Sequence, residues 1–172
     1  MALTLVVEDG TGKTNSNTYI SLADAEIYFE SRLNITDWSG ETDANKNIAL
    51  AQACRMLDQY VDWIGEPSND SQALEWPRVN ADYEANGVEV YVDSDEIPVL
   101  LKYAQCELAI SLFSNNTQQP SGLNGFSSIS IPGAIHLTVE GSGSQSVIPS
   151  VILRMVRYLG NTSSAAVELR RG

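Results

Sequence analysis

Between residues 43 and 64, apolar side chains return at alternating intervals of four and three. Leu50, Cys54, Leu57, Val61 and Ile64 form one stripe, with Ala53, Met56, Tyr60 and Trp63 as a second beside it. That is the period of an α-helix with a buried face. Gln52, Arg55, Gln59 and Asp62 fall on the polar side, and Gly65 follows where a left-handed residue would end the helix. An earlier helix is predicted over residues 21–33, with Leu22, Ala25, Phe29 and Leu33 on one face and a Ser21-x-x-Asp24 capping box at its start. A third helix, residues 98–113, begins on Pro98 and is interrupted only by Lys102, Gln105, Glu107 and Ser111. So apolar a helix is expected to be covered on two sides, as the centre of a bundle or by a neighbouring subunit. The last, residues 149–159, buries Ile152, Met155, Val156 and Leu159 and sets Arg154 and Arg157 outward.

Elsewhere the period is two, or absent. "LTLVV" at residues 3–7 reads as a short strand or extended arm stopped by Asp9-Gly10. Ile129 and Ile131, then "PGA", then Ile135, Leu137 and Val139 read as a β-hairpin. A three-residue loop would pair Ile131 with Ile135 and Ile129 with Leu137, keeping the apolar set on one face. Between the second and third helices lies a long irregular stretch rich in turn formers and carboxylates, of the kind that is functional or clamped to something. The tail, "NTSSAAVELRRG", has too little apolar content to fold alone. The fold class expected is mainly α (α+β): a small bundle of about four helices with a β-hairpin in the C-terminal half and extended terminal arms. The organisation is one domain plus arms: residues 1–114 as a helical core with its N-terminal arm and the 65–97 loop, 115–148 as the hairpin with flexible flanks, and 149–172 as the C-terminal helix and tail arm.

Charge narrows the functional classes. Ten Lys and Arg against 22 Asp and Glu give a net charge of −12, which opposes nonspecific binding to a phosphate backbone. No apolar run is long enough for a membrane span, and "MALTLVV" lacks the basic start and length of a signal peptide, so synthesis in the cytoplasm is expected. Cys54 and Cys106 sit at apolar helical positions and are read as buried free thiols.

Candidate chemistry is sparse. "GTGKT" at residues 10–14 imitates a phosphate-binding loop, but the position of its first glycine holds Val7, and the turn-rich "NSNTYI" follows instead of a helix. It is read as a glycine-rich surface turn. His136, the sole histidine, lies in the hairpin with no nucleophile pattern around it. Asp93, Asp95 and Glu96 lack the glycine and terminal glutamate of a calcium loop and read as a solvated helix start. Trp38, Trp63 and Trp76 are not interleaved with cations as a single-strand groove would require. No catalytic, metal or cofactor site is assigned, and no enzyme activity is expected. The distinctive string is "QALEWPRVNADYEANG", residues 72–87. Leu74, Trp76, Pro77 and Arg78 suggest a rigid strap with an anchored indole. Arg78, alone among carboxylates between Arg55 and Lys102, suggests an ion pair within the subunit or across an interface.

"VVEDGTG", "NTYISLADAEIYF", "QALEWPR", Gly87 and "IPVLLKYAQCELA" together resemble, in order and spacing, a family of tailed-bacteriophage proteins often described as DnaT-like single-stranded DNA-binding proteins. Similar proteins look like head–tail connector, or head-completion, adaptors. The resemblance implies a helical core with extended arms, assembled as a ring of about twelve copies through head-to-tail contacts. It implies as partners a portal protein above, tail or tail-terminator proteins below, and genomic double-stranded DNA passing through the lumen without specific binding. The location implied is the neck of the virion. Arg154, Arg157, Arg170 and Arg171 are the candidate portal-docking residues, a basic arm suited to an acidic rim. The alternative is a single-stranded DNA-binding module.

Overall fold

The computed structural model describes residues 3–114, 128–131, 135–138 and 148–161. Five helices lie among them: α1, Leu22–Glu30; α2, Thr36–Ser39; α3, Asp43–Tyr60; α4, Val99–Ser114; and α5, Ser150–Met155. Eight short strands form four antiparallel pairs: β1 (Asp62–Trp63) with β8 (Gly160–Asn161), β2 (Glu66–Pro67) with β3 (Arg78–Val79), β4 (Tyr83–Ala85) with β5 (Val88–Val90), and β6 (Ser128–Ile131) with β7 (Ile135–Thr138). The class is therefore α+β.

The predicted central helix is central. α4 packs against α1, α2, α3 and α5, and Leu101, Ala104, Gln105, Cys106, Leu108 and Ala109 are buried along it. Its apolar surface is explained by helices on several sides of it within one chain. α1 starts where the capping box places it, with Ser21 Oγ accepting from the Asp24 backbone N–H at 3.1 Å. It stops at Glu30, three residues before Leu33, which is 85% exposed. The reason is α2, a single turn that sequence periodicity is too short to reveal. There Trp38 is fully buried, its ring 4.5 Å from Phe29 and 6.0 Å from Phe113, with the Lys46 ammonium over its face.

α3 carries the expected buried stripe through Leu57, but it ends at Tyr60 rather than at 64. Val61 turns extended and Trp63 enters β1, so Tyr60 is exposed while Trp63 is buried without being helical. Gly65 has a positive φ of 69°, as expected of a glycine stop, but it serves the turn into β2. A Cβ there would lie 2.3 Å from the Val79 carbonyl oxygen.

The loop at 65–97 is more ordered than an irregular stretch. It holds β2 to β5, with Asn86 and Gly87 both at positive φ in the β4–β5 turn. The β6–β7 register pairs Ile129 with Leu137 and Ile131 with Ile135, as the three-residue loop requires; Val139 lies outside the described residues. α5 is shorter than predicted, and the chain beyond it turns back to pair with β1. Ile148, Ile152, Val156 and Leu159 join the same core as α3 and α4, with Met155 partly buried. Among the described residues, no helix is long and apolar enough to cross a membrane.

Candidate functional site

The motif strings converge on one buried junction, and each contributes a polar group to it. The first is the "GTGKT" loop. Glu8, 1% exposed, turns its carboxylate into the loop that follows it. Oε1 accepts from the backbone N–H groups of Gly10 (3.0 Å) and Gly12 (2.9 Å), and Oε2 from Lys13 N–H (2.8 Å) and Ser16 Oγ (2.9 Å). The loop is thus a nest of convergent donors of the kind that cradles anions, filled by the chain's own carboxylate. The Lys13 ammonium points back to the Val7 carbonyl (2.8 Å) and pairs with Asp9, whose carboxyl it holds down at about 2.

The expected surface turn holds for Thr11, Thr14 and Asn15, which are exposed, while Gly10, Gly12 and Ser16 are buried. Gly10, with φ at 100°, lies so close to the Asp95 backbone that a Cβ would fall 1.8 Å from its carbonyl oxygen. Lys13 O accepts from Ala73 N–H at 2.8 Å, joining the loop to the strap. The signal in the sequence was Glu8 itself, a carboxylate between a β-branched run and a glycine turn.

Gln105, merely an interruption in helical periodicity, is the second contributor. Fully buried in α4, it donates through Nε2 to Thr18 Oγ1 (2.7 Å) and to the Leu50 carbonyl of α3 (2.9 Å), and its Oε1 accepts from Tyr19 N–H (3.1 Å). All its major polar capacity is used, which fixes the register of "NTYI" against both central helices.

The third is a clasp around Asp58, a residue that the stripes of α3 place beside its apolar face. Tyr19 Oη lies 2.7 and 2.9 Å from the two Asp58 oxygens, and it accepts from the Trp76 backbone N–H at 3.2 Å. Glu75 N–H donates to Asp58 Oδ2 at 3.2 Å. Asp58 is partly buried; burial pushes its carboxyl up to about 7, and the Glu75 charge adds to the rise. The Trp63 indole N–H helps hold the charge but falls outside hydrogen-bond geometry. Burial likewise raises Tyr19 and Cys54, and pushes Cys106 up to about 12, so both free thiols are kept protonated and unreactive.

The strap itself matches the expectation of an anchored indole. Trp76 is fully buried and meets Trp63 edge-on at 6.0 Å; Leu74 and Pro77 are buried, and the Trp76–Pro77 peptide is cis. Arg78 pairs within the subunit. Its Nη1 donates to Glu75 Oε2 (2.7 Å) and the Glu75 carbonyl, Nε to Ile64 O (2.7 Å), and Nη2 to Gly65 O (2.8 Å). The guanidinium fork thereby satisfies the carbonyls of the turn between β1 and β2.

The remaining candidates lie elsewhere. Arg154 and Arg157 are exposed; Arg157 covers the ring of Tyr158, which stacks on Tyr83 of β4. Arg170 and Arg171 lie outside the described residues. Asp93, Asp95 and Glu96 are exposed in a turn before α4, and no described group of His, Cys, Asp and Glu is placed to hold a metal ion. His136 is paired in the backbone with Ser130. An open pocket of about 440 Å³ beside the strap is lined by Glu66, Asp70, Gln72, Leu74 and Glu75, acidic rather than basic.

A family model described as "Putative DnaT-like ssDNA binding protein" matches residues 3–172. No curated protein and no solved structure matches the chain.

Proposed function

We propose, from the premise that the chain belongs to this DnaT-like family, that it works as a structural ring subunit, a head-to-tail adaptor that docks beneath a phage portal and extends the DNA channel. The observation that carries this reading is how the motif residues are spent. Glu8, Tyr19, Asp58, Trp76, Arg78 and Gln105 are used in holding segments of one chain together. Among the described residues, the charged groups exposed at the surface are mainly acidic. Among the described residues, Lys13, Arg32, Lys46 and Arg78 are paired with carboxylates, so half of the eight described cations are not free to track a phosphate backbone. An acidic lumen of about twelve copies would repel DNA and let it slide. Exposed Arg154 and Arg157, continued by Arg170 and Arg171, suit an acidic portal rim.

The second reading is single-stranded DNA binding, which the family's description favours. Two measurements separate them. A labelled oligonucleotide titrated at low salt should show no saturable binding, and electron microscopy of the protein mixed with its portal should show an added ring. Tight binding that weakens steeply with salt, with no ring, would overturn the adaptor reading. Because Asn161 is paired in β8, the docking arm is best tested by removing residues 162–172, which should abolish portal binding and leave the melting temperature unchanged.

A further inference from the structure

We infer that the outer side of α5 and the β4–β5 hairpin form one docking face for an acidic protein surface; resting on the adaptor reading, that surface is the portal rim. The face gathers cations that no carboxylate holds. Of the eight described cations, Lys13, Arg32, Lys46 and Arg78 are in ion pairs. Arg55 and Lys102 stand singly on α3 and α4, whereas Arg154 and Arg157 share α5 and the turn after it. Val151, 62% exposed, Arg154 and Arg157 follow at intervals of three, on the side away from buried Ile152, Val156 and Leu159.

A ladder of side chains joins the hairpin to that side. The Arg157 guanidinium lies 4.4 Å over the Tyr158 ring and donates to its hydroxyl, and Tyr158 stacks on Tyr83 of β4 at 5.7 Å with 12° between the planes. Pairing of Tyr83 with Val90 and of Ala85 with Val88 places these four on one face of the hairpin, and Glu84 with Glu89 on the other. Tyr83, Ala85 and Val90 are half-buried, but Val88 at the tip is 63% exposed. A two-stranded ribbon with an apolar face needs something to pack on. Tyr158 covers the base of this one and leaves the tip bare.

Arginine and tyrosine are side chains enriched at interface centres, and here they are already ordered. Stacking holds the Arg157 guanidinium before any partner binds, so less rotamer freedom is lost on docking. Among the described residues neither Arg154 nor Arg157 has a carboxylate within ion-pair distance, so the complementary surface is acidic. A nucleic acid fits less well. The Tyr158 ring is taken up by Arg157 and Tyr83 instead of lying open to a base, and the other face of the hairpin carries Glu84 and Glu89.

Portal binding by the full chain and its point variants tests the face, read as dissociation constants. Arg157→Ala and Tyr158→Ala should weaken binding about ten- to thirtyfold, Tyr83→Ala about tenfold through the lost stack, and Val88→Ser and Arg154→Gln about threefold each. Glu84→Gln and Glu89→Gln, on the opposite face of the same hairpin, should bind no more weakly than the parent. Added salt should weaken the parent more than it weakens Arg154→Gln. If the tyrosine variants do not fold, Val88→Ser and Arg154→Gln, both at exposed positions, decide. A parent that binds while these variants match it, or an equal loss in the glutamate variants, overturns the docking face and leaves the adaptor reading standing. A parent that binds no portal overturns both. Oligonucleotide binding that is present in the parent and abolished by Tyr158→Ala would assign the face to nucleic acid and overturn it as a protein surface.

Discussion

Glu8 and Asp58 are two carboxylates drawn into the same junction, and they are held in different ways. Glu8 receives four donors from residues 10–16, all within eight positions of itself. The loop is folded around its own ligand, and nothing distant has to arrive. Asp58 receives its donors from Tyr19 and Glu75, 39 and 17 positions away. A carboxylate satisfied by its own loop is a fixed structural part. One clasped by remote segments reports on whether those segments are in place, and its proton affinity rises because burial outweighs the donors it has.

The comparison can be broken most forcefully at the strap. Trp76→Ala should cost about 3–5 kcal/mol as a truncated, fully buried aromatic, measured by urea denaturation, and should let Asp58 relax toward its ordinary range. An unchanged midpoint would remove the strap from the core. Glu8→Gln should cost about 2–4 kcal/mol, because either orientation of the amide sets an NH₂ against backbone donors; recovery of the parent's stability would show that the nest does not need a carboxylate.

Asp58→Asn sharpens the contrast through pH. Since the Asp58 proton is held more tightly in the folded chain, at about 7 against 3.8, its stabilising contribution is complete below about pH 4 and is lost as pH rises through about 7. The variant should therefore gain on the parent by about 3–4 kcal/mol at pH 8 and show no advantage at pH 4. A stability difference independent of pH would contradict the shift. Smallest is Tyr19→Phe, expected to cost about 1 kcal/mol for the lost hydroxyl and to raise Asp58 further, followed by NMR titration.

Much of the fold was legible because helix burial leaves a period in the sequence. The stripe of α3, the capping box of α1, the all-round apolar α4 and the β6–β7 register depend on neighbours a few residues apart. Element ends were less legible. The chain leaves α3 at Val61, and β8 arrives from about 100 residues away to pair with Asp62 and Trp63; α1 stops at Glu30, and Trp38 of α2, not Leu33, packs against Phe29 at its end.

The amino-acid order by itself determined which helices form, which faces they bury, that both thiols are core positions and that Trp76 anchors a strap. It also excluded a phosphate-binding loop, for want of a glycine at position 7. Only the tertiary structure decided what fills that loop, where Arg78 finds its partners, and that Tyr19, Asp58, Trp76 and Gln105 share one junction. Periodicity carries information about which side of a helix faces inward. The identity of the group that meets a buried polar atom is set by how distant segments pack, and no local pattern encodes it.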